Sequence, residues 1–151
     1  MIRLSGFTCP SGWQQRDFGC YNVSHISDRD YDEAVAHCLS LDSRATLPIL
    51  MTDAHREMIG GMLPTFGFFH TWIYATDKVN EGTWAYPWDP NCRAKALRWY
   101  PGRPDTGGEV EADCAALKSD QFMYDEPCEY KEAGEVTICQ ISNFTLAEAC
   151  G

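Results

Sequence analysis

At 151 residues and a formal net charge of −10, the chain has the length of one domain and a charge that argues against nucleic acid or anionic membrane surfaces as partners. A hydrophobic share of 44%, with 13% aromatic residues, can build a core and excludes a disordered composition. Eight cysteines in so short a chain point to disulfides and an oxidising compartment. There is no Cys-x-x-Cys pair, and His25, His37, His55 and His70 lie outside zinc-ligand spacings.

In chain order, Cys9-Pro10-Ser11-Gly12-Trp13 through Gly19-Cys20-Tyr21 reads as a small hairpin, with turn residues between aromatic strand residues. Asp28 or Asp30 caps a helix over about 31–41, whose apolar positions Ala34, Val35, Cys38 and Leu41 turn Cys38 inward. A second helix starts at Thr52 or Asp53, carries Met58, Ile59, Met62 and Leu63 as its inner stripe, and ends at Pro64. The run Thr71-Trp72-Ile73-Tyr74-Ala75 predicts a strand, followed by Asn80-Glu81-Gly82-Thr83-Trp84. From about 86 to 113 the chain is rich in Pro, Gly, Trp and charge, the composition of a long functional loop. Further strands are expected at Cys114–Leu117 and Val136–Cys139, with a polar, turn-rich segment between them. Hairpin, two helices, then strands around a long loop make an α+β fold in one domain over 1–151, with its core at about 9–141 and a short C-terminal tail.

No apolar run is long enough to span a bilayer, and the first eight residues hold no signal-peptide core, so a mature secreted form is expected, with no membrane insertion. The triplets Asn22-Val23-Ser24 and Asn143-Phe144-Thr145 make Asn22 and Asn143 candidates for glycosylation. No Gly-x-Ser-x-Gly, His-Glu-x-x-His or phosphate-binding glycine loop is present, and the pairs Glu109/Glu111 and Asp125/Glu126 read as loop charge rather than glycosidase carboxylates. An enzyme is not expected.

Taken together, several of these pieces resemble the C-type lectin-like domain. The opening Cys-Pro-Ser-Gly-Trp, Cys20-Tyr21, the Ala34 to Cys38 helix segment, Trp72-Ile73-Tyr74-Ala75, Glu81-Gly82-Thr83-Trp84, Asp113-Cys114, Asp125 with Cys128, and Val136 to Cys139 follow the family's order and spacing. Tyr74 stands where the family has a glycine. The resemblance implies two helices packed on small antiparallel sheets, with disulfides Cys9–Cys20, Cys38–Cys139 and Cys114–Cys128. In the chain-entropy model a bridge closing about 100 residues contributes on the order of 4.7 kcal/mol. Cys92 and Cys150 remain. Bridging to a second chain, giving a disulfide-linked homo- or heterodimer, is the favoured expectation, with an internal staple as the alternative.

The family's calcium-dependent members take metal ligands from a Glu-Pro-Asn or Gln-Pro-Asp triplet in the long loop, a further acid, and an Asn-Asp pair on the next strand. Here Pro104, Asp105, Glu109 or Glu111, and Asp125 match, but the first triplet position is Arg103 and the Asn position is Tyr124. Calcium wants six to eight oxygens. A fixed cation at ligand distance costs several kcal/mol even at an effective dielectric near 20. No metal and no cofactor is therefore expected at this site. The Arg-Pro-Asp triplet resembles that of bivalve C-type lectins that bind N-acetylhexosamines without calcium. It implies a carbohydrate site of Arg103, Pro104, Asp105, Glu109, Tyr124 and Asp125, in which the arginine stands in for the metal and is held by Asp105, Asp125 and Glu109. Trp88, Trp99 and Tyr100 are further aromatic candidates, Trp99 being better suited to the core. The expected ligands are glycans bearing N-acetylglucosamine or N-acetylgalactosamine on microbial or cell surfaces, with a multivalent agglutinin or innate-immune recognition role. The alternatives are a protein-binding module with a dead sugar site, or an ordinary calcium-dependent lectin.

Overall fold

A computed structural model describes residues 6–105 and 111–151. The N-terminal hairpin forms from β1 (Gln14–Arg16) and β2 (Gly19–Val23), which pair antiparallel. Gly19 is obligatory there: a side-chain carbon would meet the Ile141 carbonyl oxygen at 2.0 Å. Helix α1 (Tyr31–Leu41) starts at Asp30 in a full capping box with Glu33 and buries Tyr31, Ala34 and Cys38. Helix α2 (Asp53–Gly60) is capped by the Thr52 hydroxyl and buries Ile59, while Met58 and Met62 lie only partly buried at the core's edge.

Strands β3 (His70–Thr76), β4 (Ala85–Tyr86), β5 (Asp89–Arg93), β6 (Cys114–Lys118) and β7 (Met123–Glu126) make one sheet in the order β5-β4-β3-β6-β7. Strand β8 (Ile138–Ser142) joins the hairpin in a second sheet, β1-β2-β8. Strand alternation on β3 divides the core in two. Trp72 packs with α1, Cys38 and Cys139, and Ile73 packs with Leu117, Met123 and Ile138 on the other side. The Trp72 indole N–H donates to the Arg29 carbonyl at 3.0 Å. The fold is α+β, as the sequence predicts, with differences at particular elements. The 80–84 segment is a turn, the last strand begins at Ile138 rather than Val136, and a 3₁₀ turn covers Lys131–Gly134. The long loop contributes β5. Tyr74 sits at a register shift of β3, its amide donating to Pro48, with its ring 5.8 Å from Trp88.

The C-terminal tail departs most from expectation. It forms a third helix, α3 (Leu146–Cys150), opened by a capping box of Thr145 and Glu148. Phe144 and Ala149 pack against Ile49, Tyr86 and Cys92. This docking brings Cys150 to Cys92, and the two form an intrachain disulfide beside Cys9–Cys20, Cys38–Cys139 and Cys114–Cys128. The expected interchain bridge through Cys92 or Cys150 is thereby corrected: no free cysteine remains for a covalent partner. Asn143 is also corrected as a glycosylation candidate. It is 3% exposed, which leaves its side chain no room to carry a glycan. Asn22, on β2 opposite Cys139, is half-buried.

Between hairpin and α2 lies a buried polar chain. The Met51 amide donates to His55 Nδ1 at 3.2 Å, His55 Nε2 lies 2.8 Å from the Tyr21 hydroxyl, and that hydroxyl donates to the Asp17 carbonyl at 2.6 Å. Donors and acceptors match only if His55 is neutral with its proton on Nε2. Burial pushes its pKa down to about 4, against a small opposing pull from Asp17. The unfolded chain binds the proton near pH 6.5, so the stability that neutral His55 contributes is complete above 6.5 and is lost as the pH falls toward 4. Two outcomes follow. Followed by circular dichroism, the unfolding midpoint of the wild type should fall by roughly 10 °C relative to that of His55→Gln across that window, from about 3 kcal/mol of linkage, the comparison cancelling other groups that titrate there. Electrophoresis without reductant should give a monomer-sized band, whereas a dimer-sized band that collapses on reduction would contradict the intrachain pairing.

Candidate functional site

Arg103 and Pro104 follow a tight turn in which the Arg103 amide donates to the Tyr100 carbonyl at 2.8 Å, with Gly102 in the left-handed region at φ 88°. The Arg103–Pro104 peptide is cis. From this turn the Arg103 guanidinium reaches β7. Its Nη1 donates to the Asp125 carboxylate Oδ1 at 2.9 Å and to the Asp125 carbonyl at 2.5 Å. The other carboxylate oxygen, Oδ2, accepts the Asp105 amide N–H at 2.9 Å. Asp125 is 2% exposed and both its oxygens are engaged, while the Arg103 side chain is 34% exposed. Burial is the largest single influence and works against the guanidinium charge, but the Asp125 bond together with the charges of Asp125, Glu126 and Asp105 outweighs it, so the arginine pKa is raised.

Arg103 thus belongs to Asp125. The expected grip by Asp105 takes a different form: its backbone, not its carboxylate, ties the turn to Asp125, and the exposed carboxylate makes no hydrogen bond among the described residues. Glu109 lies outside the described residues. The Tyr124 ring lies 5.5 Å from the guanidinium, stacks on Tyr100 at 4.9 Å, and has the Lys118 ammonium 3.9 Å above it. Its hydroxyl donates to Asp120 at 2.5 Å, and desolvation followed by that bond raises its pKa. With Tyr124 so enclosed, the exposed aromatic surface of the pair is mainly that of Tyr100, at 43%. Trp99 packs into the core against Trp84 at 4.8 Å, and Trp88 stacks on Tyr86 in the cluster beside Cys92.

A second cluster was not legible as a site in the sequence, where Glu81 and Asp113 serve only as fold markers. Asp77, Glu81 and Asp113 bring carboxylate oxygens within 4.8 Å of one another. Asp77 is 2% exposed, and one oxygen each of Asp77 and Asp113 is buried without a partner. Burial first, then neighbouring carboxyl groups, push the Asp77 pKa up to about 7 despite a bond from the Gly82 amide. Orphaned, mutually repelling oxygens form a donor set that fits a hard divalent cation such as calcium, which these three residues could hold at the base of the loop.

The chain's likeness to known proteins agrees with the architecture. A family model described as the lectin C-type domain matches residues 27–141. The chain belongs to the C-type lectin domain family. The human scavenger receptor C-type lectin carbohydrate-recognition domain is 25% identical, with a TM-score of 0.73 over 89% of this chain and 99% of that one. The cow CD23 carbohydrate-recognition domain, solved in the presence of a GlcNAc2Man3 oligosaccharide, is 18% identical with a TM-score of 0.73 over 92% and 99%. The C-type lectin CEL-I from Cucumaria echinata is 17% identical with a TM-score of 0.74 over 90% and 99%. No curated protein matches the chain. Four disulfides fit an extracellular domain, and no helix among the described residues is long and apolar enough to cross a membrane.

A calcium ion held by Asp77, Glu81 and Asp113 would stabilise the folded domain. Calcium at saturating millimolar concentration should raise the unfolding midpoint by roughly 5 °C over a chelated sample, and Asp77→Asn should remove the rise. An unchanged midpoint on adding calcium to the wild type would exclude the assignment.

Proposed function

We propose that this C-type lectin domain binds glycans bearing N-acetylglucosamine or N-acetylgalactosamine at Arg103, with no calcium at that site. The observation that carries the reading is the Arg103–Asp125 pair. The carboxylate best placed to ligate a metal on β7 is already neutralised by a guanidinium at 2.9 Å, and its second oxygen is used by the Asp105 amide. A metal entering there would face the arginine at close range. The arginine offers what a metal would otherwise offer a sugar, a fixed positive charge with open valences. Only Nη1 is committed among the described residues, leaving the Nε and Nη2 donors of a planar fork.

An acetamido group suits this surface. Its carbonyl accepts from the guanidinium, its N–H can donate to the unengaged Asp105 carboxylate, and its methyl has the exposed Tyr100 ring beside it. A hexose without the acetamido group offers hydroxyls but neither the strong carbonyl acceptor nor the methyl. The family resemblance supports a carbohydrate ligand, and the cow CD23 domain was solved in the presence of a GlcNAc-containing oligosaccharide. With all eight cysteines paired within the chain, agglutination would require a noncovalent assembly.

Isothermal titration with N-acetylglucosamine, N-acetylgalactosamine and glucose tests the reading. The two acetamido sugars should bind with affinities that agree within about twofold in excess chelator and in calcium, and glucose should bind at least about tenfold more weakly, as expected when a designed polar contact goes unmade. Arg103→Lys keeps the charge but not the fork and should cost about tenfold or more. Loss of binding on chelation, measured well below the unfolding midpoint, would overturn the proposal.

A further inference from the structure

Beyond Arg103, the surface continues in an ordered way. Residues 98–100 run alongside β7. The Met123 amide donates to the Arg98 carbonyl at 2.7 Å, the Tyr100 amide donates to the Met123 carbonyl at 3.0 Å, and Trp99 bridges Met123 in parallel register. Met123 is buried and Trp99 packs against the same core. Strand alternation therefore sends Arg98, Tyr100, Phe122 and Tyr124 to the opposite side. There they form a ladder: Tyr124 stacks on Tyr100 at 4.9 Å, Tyr100 meets Phe122 edge-on at 5.6 Å, and the Arg98 guanidinium lies 4.8 Å from the Phe122 ring. Arg103 stands at one end and Arg98 at the other. Arg98 is exposed and, among the described residues, its guanidinium has neither a hydrogen bond nor a carboxylate partner.

Charge along the loop points the same way. Residues 90–104 contain Arg93, Lys95, Arg98 and Arg103 and no acidic residue, within a chain of net charge −10. A cationic stretch kept in an acidic protein raises the local concentration of anions at that surface. Two residues along a strand advance about 6.8 Å, which sets Phe122 roughly one sugar ring away from Tyr124, with Arg98 against the Phe122 ring and Arg103 near the Tyr124 ring.

We propose that the ladder is a second subsite, taking an anionic sugar unit joined to the N-acetylhexosamine held at Arg103. The C–H face of the second pyranose lies on the exposed Tyr100 ring beside the half-buried Phe122, and its carboxylate or sulfate accepts from the Arg98 fork. This rests on the reading of Arg103 as the acetamido site and extends it to a class of glycan, alternating N-acetylhexosamine and acidic sugar.

Four probes test it by titration at about 20 mM salt, where surface charge is weakly screened. They are N-acetylglucosamine, neutral N,N′-diacetylchitobiose, a disaccharide of N-acetylglucosamine and glucuronic acid, and a disaccharide of N-acetylglucosamine and a sulfated galactose. At least one acidic disaccharide should bind about fivefold more tightly than diacetylchitobiose, the gain expected from one exposed ion pair, and should approach parity near 0.5 M salt. The arm showing the larger gain identifies carboxylate or sulfate as the recognised group. Arg98→Gln should bring the acidic-to-neutral affinity ratio to about one. Equal binding of acidic and neutral disaccharides, with N-acetylglucosamine bound, overturns the second subsite alone. Failure of N-acetylglucosamine to bind overturns the Arg103 site and the extension with it.

Discussion

A carboxylate at 2% exposure cannot stay ionised without partners, and Asp125 takes both of its partners from the Arg103–Asp105 turn. That requirement fixes the site. The guanidinium closes onto one oxygen and the Asp105 amide onto the other, so a loop of otherwise irregular sequence is clamped to a sheet edge. Because the clamp uses a side-chain cation, charge compensation and ligand recognition fall to one group. The remaining donors of Arg103 are oriented by the same bonds that neutralise Asp125. Truncating the arginine would thus leave a buried charge unpaired, and it would damage the loop as well as the contact surface.

Much of this was visible in the residues alone. Three disulfides follow from the family order of cysteines, and α1 follows from a cap at Asp28 or Asp30 and an inward Cys38, the structure choosing Asp30. The resemblance implies Asp105, Asp125 and Glu109 as holders of Arg103; of the two that lie among the described residues, Asp125 makes the side-chain pair and Asp105 contributes only its backbone amide. The tail was misjudged for a physical reason. Thr145 and Glu148 carry the spacing of a capping box, yet a five-residue helix has too little periodicity to announce itself, and its stability comes from Phe144 and Ala149 docking into a core assembled from distant segments. Once docked, Cys150 could meet Cys92. The pairing of residues 98–100 with β7 was equally hidden, since Arg98-Trp99-Tyr100 gives no register until Trp99 and Met123 share a core.

The molecule divides positive charge between two places by different means. At Asp125 the protein supplies its own cation. At Asp77, Glu81 and Asp113 it supplies none, and buried oxygens stand without partners. An ion at the second cluster would brace the base of the loop without touching a sugar, which separates metal dependence of stability from metal dependence of recognition. Such a division would let a domain that lacks two oxygen ligands at one site keep the loop in shape.

In the proposed reading, a guanidinium does a metal's work at this surface. A crystal structure of the domain soaked with N-acetylglucosamine in excess chelator tests it most directly. The acetamido carbonyl should lie within about 3 Å of an Arg103 nitrogen, with the Arg103–Asp125 pair intact. Sugar density elsewhere, or an Arg103 displaced from Asp125 to admit the ligand or a metal ion, would contradict it.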